Sequence, residues 1–223
     1  MVRVVLILIV SLLCSVQASP RTRTLAQRLA ARRDLVDAGA TAPLLRVELR
    51  YSTKNNFMKK NVYGGLRRCY LAPLAAKKLA RATRLLEQAR PGLRLLAYDC
   101  VRPVRVQRAM WKLVEGTPAQ PYVADPARGS MHNLGCAVDL TIADPKGEPL
   151  PMGTPFDHAG PLAQPRLERK HLLEGKLTLQ QLSNRLLLRY VMVQAGFFPL
   201  DIEWWHFDCM RPAEARKRLK PIP

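Results

Sequence analysis

A chain of 223 residues, 48% apolar and 24% charged, suits one ordinary domain with a sizeable core and is too apolar to be disordered. Its formal net charge of +19 favours anionic surroundings such as cell-wall polymers or lipid headgroups. The basic residues are scattered through helices and tails, and no helix-turn-helix, zinc-finger or aromatic RNA-binding pattern accompanies them, which argues against specific nucleic-acid recognition.

The first predicted element is a secretory signal peptide over residues 1–18. Arg3 provides the positive start, residues 4–14 are almost wholly apolar, and Val16-Gln-Ala18 offers small residues before a cleavage point. The run is too short to span a bilayer, so the mature chain is expected to have no transmembrane span. Leu13 stands where a lipid-modified Cys14 would need a small residue. Residues 19–43 follow as an N-terminal helical arm, with Leu25, Leu29 and Leu35 roughly in helical phase over residues 21–38. Alternation of Leu45, Val47, Leu49 and Tyr51 with Arg46, Glu48 and Arg50 predicts a half-buried strand.

Pro73 opens a helix to about Gln88, ended by Pro91-Gly92, and residues 93–99 read as a mostly apolar strand. Pro103 starts a second helix, and residues 116–131 are irregular. Residues 136–142 form a strand with Cys136, Val138, Leu140 and Ile142 on an apolar face and Ala137, Asp139 and Thr141 on the other. Asp144-Pro-Lys-Gly147 is a turn. Thr178 and Gln181 match a capping box for a long helix that Gly196 stops, and residues 203–208 are a final aromatic strand. Cys69, Cys100, Cys136 and Cys209 remain after cleavage; in an oxidising compartment they allow three pairings, and the sequence does not choose among them.

Two strings carry the chemistry: Ser130-Met-His132-Asn-Leu-Gly135-Cys-Ala137-Val-Asp139 and Glu203-Trp-Trp-His206. Two imidazoles, one carboxylate and one spare glutamate are the parts of a catalytic zinc site with an open fourth position and a general base. His132 and Asp139 are too far apart for one helical turn, and Gly135 allows a tight loop that folds one back beside the other. Glu203 and His206 face opposite ways on a regular strand, so sharing a site requires a bend or bulge there. Arg102, between the end of a strand and Pro103, is placed as a rigid cation that can hold an oxyanion.

These residues resemble the D-alanyl-D-alanine dipeptidases, the zinc enzymes of bacterial vancomycin resistance and their chromosomal relatives. The resemblance runs from about Leu45 to Asp208. It includes Tyr51-Ser-Thr-Lys-Asn-Asn-Phe57, Tyr98-Asp99 with Arg102-Pro103, the Ser130–Asp139 string, Pro151-Met-Gly153 with Phe156-Asp157, and Glu203-Trp-Trp-His206. It implies an α+β fold of the Hedgehog/D,D-peptidase kind, a small, largely antiparallel sheet flanked by helices, over residues 19–223. His132, Asp139 and His206 would bind one zinc ion, Glu203 would be base and acid, and Arg102 would stabilise the tetrahedral intermediate. Ser130 and Asp157 would recognise the free amino end of a small dipeptide, and Tyr51 would line the pocket. The implied activity is hydrolysis of D-Ala-D-Ala in peptidoglycan metabolism, in the periplasm or outside the bacterial cell. The other readings are a zinc D,D-carboxypeptidase or endopeptidase of the same fold, and a non-catalytic wall-binding module, against which Glu203 and Arg102 argue. The four cysteines depart from the family pattern.

Overall fold

A computed structural model describes residues 23–223, so the expected signal peptide lies outside the described residues. In chain order the elements are α1 (Leu25–Ala30), β1 (Val36–Asp37), α2 (Ala38–Thr41), β2 (Arg46–Val47), β3 (Tyr70–Leu71), α3 (Pro73–Ala89), β4 (Arg94–Asp99), α4 (Val104–Val114), β5 (Ala137–Ala143), α5 (Glu168–Leu173), α6 (Leu179–Gln194), β6 (Phe198–Leu200), β7 (Glu203–Asp208) and α7 (Pro212–Arg218). The fold is α+β. A five-stranded sheet runs β2-β4-β5-β7-β6; β2 is parallel to β4 and the other pairs are antiparallel. Strands β1 and β3 form a separate antiparallel pair. No helix among the described residues is long and apolar enough to cross a membrane.

The helices follow their caps and apolar stripes. Pro73 occupies the first turn of α3, whose Ala75, Leu79, Ala82 and Leu86 are buried at helical spacing. Thr178 accepts a hydrogen bond from Gln181 N while the Gln181 side chain returns to Thr178 N, closing the expected capping box on α6. Gly196 has φ +94°, the left-handed stop that ends it. Lys78 on α3 donates to the carbonyls of Gly196 and Cys209, tying the helix to the sheet's far side.

Two sequence expectations are corrected. The N-terminal helix ends at Ala30 rather than running to residue 38. Arg32 pairs with Asp34 two residues on, an arrangement that a helix does not present on one face, and Asp37 then caps the short α2 through Gly39 N. The predicted strand over residues 45–51 is two residues long, and the chain tightens into a 3-10 turn at Arg50–Ser52. There the Tyr51 carbonyl accepts from Val62 N and Tyr63 N, so local loop pairing replaces the sheet ladder.

The cysteines form Cys69–Cys100 and Cys136–Cys209. Each bridge ends beside a segment of the site: Cys100 follows β4, and Cys136 precedes β5. Strand β5 is buried along its whole length, so its polar face looks into the protein rather than into solvent.

Candidate active site

Cross-strand pairing assembles the site. Asp139 on β5 stands opposite His206 on β7 and, on its other side, opposite Asp99 on β4. The β4 pairing slips between Ala97 and Asp99, a bulge that turns Asp99 onto the face of Asp139. On β7 the register against β6 shifts between Pro199 and Leu200, so that Leu200 pairs with Glu203. This is the irregularity that the spacing of Glu203 and His206 requires, and it leaves Glu203 Oε2 3.8 Å from His206 Nδ1.

His132 arrives from a 3-10 turn, Met131–Leu134, capped by Ser130 Oγ accepting from His132 N at 3.3 Å. Gly135 ends this turn at φ +63°, and a Cβ there would lie 3.0 Å from the Ala72 backbone nitrogen, so glycine alone closes the loop without displacement. The fold-back expected of Gly135 brings His132 Nε2 to 3.2 Å from Asp139 Oδ1 and 3.2 Å from His206 Nδ1, with His206 Nδ1 2.9 Å from the same Oδ1.

The outer nitrogens fix what the inner atoms can do. His132 Nδ1 lies 2.7 Å from the Cys100 carbonyl, which only accepts, so Nδ1 carries the proton and Nε2 presents a lone pair inward. His206 Nε2 donates in the same way to Asp208 Oδ1 at 3.0 Å, turning the Nδ1 lone pair inward. Two lone pairs and a carboxylate oxygen therefore meet in a buried space, which demands positive charge at the centre. Burial opposes charge on Asp139, yet His132 and His206 hold its carboxyl well below the usual carboxylate range. Burial likewise opposes His206 ionisation, yet hydrogen bonds to Asp139 and Asp208 raise its pKa well above the ordinary imidazole value, so without a metal ion a proton on Nδ1 supplies the central positive charge, and a bound ion would take that proton's place. Ligands about 2.0–2.1 Å from a tetrahedral ion lie roughly 3.3 Å apart, so a triangle of 2.9 to 3.2 Å fits a metal ion with small adjustment. His132, Asp139 and His206 form the one group of this kind found among the described residues.

Every side chain singled out in the sequence faces this cleft of about 350 Å³: Tyr51, Arg102, Ser130, His132, Asp139, Asp157, Glu203 and His206 all line it. Burial pushes the Glu203 carboxyl up to about 7, against the pull of His206. Arg102 is clamped: Nε and Nη2 donate to Asp99 Oδ2 at 2.9 and 2.7 Å, and Nη1 to Gln107 Oε1 at 3.0 Å. Its Nη2 reaches within 3.5 Å of Asp139 Oδ2. Asp157 has φ +64° and lies on a loop whose ends are tied down where buried Arg185 donates to the Met152 and Leu162 carbonyls. Tyr51 Oη is 3.0 Å from both Asp157 oxygens, and burial raises the Asp157 carboxyl well above its usual range.

Sequence reasoning missed the partners that aim these groups. Asp99 accepts from Arg102, from Tyr63 Oη at 2.6 Å and from Cys100 N at 2.9 Å, and is fully buried. Asp208 is the acceptor for His206. The signal for Asp208 was available, since residues two apart on a strand share a face; the signal for Asp99 was not, because its bulge is invisible in the pattern. An Asp208→Asn substitution is expected to weaken metal affinity by about 10–100-fold with folding intact, read by competition against a chromophoric chelator.

Two imidazoles and a carboxylate converging on one point, with a glutamate and a clamped arginine at its edge, define the site of a metal-dependent hydrolase. The comparisons with known proteins make the assignment narrower. The chain belongs to the D-Ala-D-Ala dipeptidase family of metallopeptidases, whose model matches residues 31–220. It is 34% identical to the D-alanyl-D-alanine dipeptidase of Escherichia coli (strain K12) over 180 residues, covering 81% of this chain and 86% of that protein. It is 29% identical to the D-alanyl-D-alanine dipeptidase of Enterococcus faecium over 183 residues, covering 73% and 85%. A third protein of that name, from Synechocystis sp. (strain ATCC 27184 / PCC 6803 / Kazusa), is 27% identical over 165 residues, covering 59% and 66%.

Proposed function

We propose that this protein hydrolyses D-Ala-D-Ala to two molecules of D-alanine, with one zinc ion held by His132, Asp139 and His206. The observation that carries the reading is the inward convergence of two imidazole nitrogens and a carboxylate oxygen beside Glu203 and Arg102. When bound, zinc would polarise the peptide carbonyl and acidify water at the site.

Glu203 takes a proton from the attacking water and passes it to the leaving amine as the peptide C–N bond breaks. Arg102 donates to the carbonyl oxygen as negative charge builds there. Asp99 and Gln107 hold its guanidinium in place beforehand, so little reorganisation accompanies the reaction. Asp157 and Ser130 receive the free α-ammonium of the dipeptide, and Tyr51 orients the Asp157 carboxylate. A buried carboxyl that resists ionisation is stabilised as an anion when a cation arrives beside it, which supports the amino end as the group bound there.

The order of the two metal-binding strings and the antiparallel pairing of β4, β5 and β7 support a place for the domain, residues 19–223, within the Hedgehog/D,D-peptidase fold. The N-terminal pattern of residues 1–18 supports export, and two disulfides among the described residues suit an oxidising compartment. Turnover of peptidoglycan fragments in the bacterial periplasm is the setting that combines these features with the overall charge.

The reading predicts strong rejection of blocked substrates. N-acetyl-D-Ala-D-Ala leaves the Asp157 carboxylate unpaired and is expected to lower kcat/KM by about 10²-fold or more. Amine release from the zinc-loaded protein should be compared for D-Ala-D-Ala, L-Ala-L-Ala and the N-blocked peptide. Efficient cleavage of a pentapeptide ending in D-Ala-D-Ala would assign a carboxypeptidase instead.

A further inference from the structure

The arginines that look scattered in the sequence are gathered by the fold. Arg105 and Arg108 on α4, Arg128 on the loop before Gly129 and Arg216 on α7 line a second pocket of about 640 Å³. Arg105 and Arg108 are three residues apart and share a helical face. All four are exposed, and among the described residues none has a carboxylate within ion-pair distance. Of the nearby acids, Glu214 on α7 pairs with Arg218 at 2.7 Å and Asp125 Oδ1 accepts from Ala127 N at 2.8 Å, while Pro223, which carries a terminal carboxylate, also lines the pocket without reaching ion-pair distance of any of the four arginines. Burial and the positive charge of Arg28 both lower the Arg105 pKa, so a fifth cation adds to the same field.

Like charges brought together from three chain segments repel one another, and an anion of more than one charge reverses that cost. The planar guanidinium fork matches phosphate oxygens two at a time. Leu134, Leu219 and Pro221 supply an apolar wall beside the arginines, which a bare inorganic ion would leave unused. We infer that this pocket binds a phosphate ester, with the guanidinium groups on the phosphate and the apolar wall against its organic part. The inference does not depend on the dipeptidase reading. Gly129 and Ser130 line both pockets, but none of the four arginines lines the catalytic cleft.

A phosphate ester can reach the pocket as a free solute or as a lipid headgroup. Glycerol phosphate, measured by titration calorimetry, probes the first; vesicles of phosphatidic acid in phosphatidylcholine, measured by co-sedimentation, probe the second. The double variant R108Q/R128Q is compared with R81Q/R84Q on the exposed face of α3, which removes the same charge elsewhere. Glycerol phosphate affinity is expected to fall at least ~5-fold further in the first variant than in the second, the effect of two lost charge-assisted contacts discounted for exposure. A matching loss of vesicle binding identifies the headgroup as the ligand source, and a loss with the solute alone identifies a free ester. Failure of the parent to bind glycerol phosphate, or a smaller difference between the two variants, overturns the inference. D-Ala-D-Ala turnover by R108Q/R128Q in phosphate-free buffer is expected to equal that of the parent, which separates this result from failure of the catalytic proposal.

Discussion

Glu203→Ala lowers turnover of D-Ala-D-Ala by about 10²–10⁴-fold while the metal content stays at the parent level. The two halves of this expectation have separate structural causes. Glu203 Oε2 is 3.8 Å from His206 Nδ1, near the donors yet outside the triangle that they form, so its loss leaves the donor set complete. The reaction, however, loses the group that moves a proton from water to the leaving amine. Burial holds the Glu203 carboxyl up near 7, close to the range in which an acid and base works best at neutral pH. Steady-state kinetics together with elemental analysis of the purified variant checks both halves. Turnover at the parent rate would remove Glu203 from the mechanism, and loss of metal would recast it as a ligand.

Arg102→Ala is expected to cost stability as well as about 10²–10³-fold in kcat. Asp99 is fully buried, and its Oδ2 receives both Nε and Nη2 of Arg102. Removing the guanidinium leaves that carboxylate without its counter-charge, a loss of about 3–5 kcal/mol for a broken buried pair. Tyr63 Oη and Cys100 N still donate to Asp99, which places the expected value at the lower end of that range. Arg102→Lys separates the two roles. An ammonium can keep a charge near Asp99 but cannot also reach Gln107 and the substrate oxygen in a fixed plane. Its midpoint in urea is therefore expected to recover most of the loss, with kcat still depressed. Equal recovery of both quantities would make Arg102 a structural cation only.

The site was more legible in the sequence than the fold around it. Metal donors, base and arginine announce themselves by residue type: imidazole, carboxylate and guanidinium are chemically distinctive, and the strings that carry them are short. Helices α3 and α6 were legible for a related reason, because Pro73 and the Thr178/Gln181 pair are local signals acting within one turn. Strand neighbours are not local. The place of Asp139 between Asp99 and His206 depends on the order β4-β5-β7 and on a bulge, neither of which leaves a periodic trace. The alternating run from Leu45 shows the opposite error: its period of two is real, but Tyr51 is buried from a 3-10 turn and Leu49 from the position that caps it, so alternation reported burial rather than strand. The disulfide pairing was open for the same topological reason, since Cys136 meets Cys209 only once β5 and β7 are neighbours. The arginine pocket belongs with these, assembled from α4, α7 and a loop.

Whether His132, Asp139 and His206 hold one catalytic ion is decided by metal stoichiometry measured on the parent and on His206→Ala under identical purification. One zinc per chain is expected in the parent, none retained in the variant, and no turnover by either after dialysis against a chelator until zinc is restored to the parent. A His206→Ala protein that keeps a full equivalent of metal, or a metal-free parent that hydrolyses D-Ala-D-Ala at the original rate, would contradict that assignment.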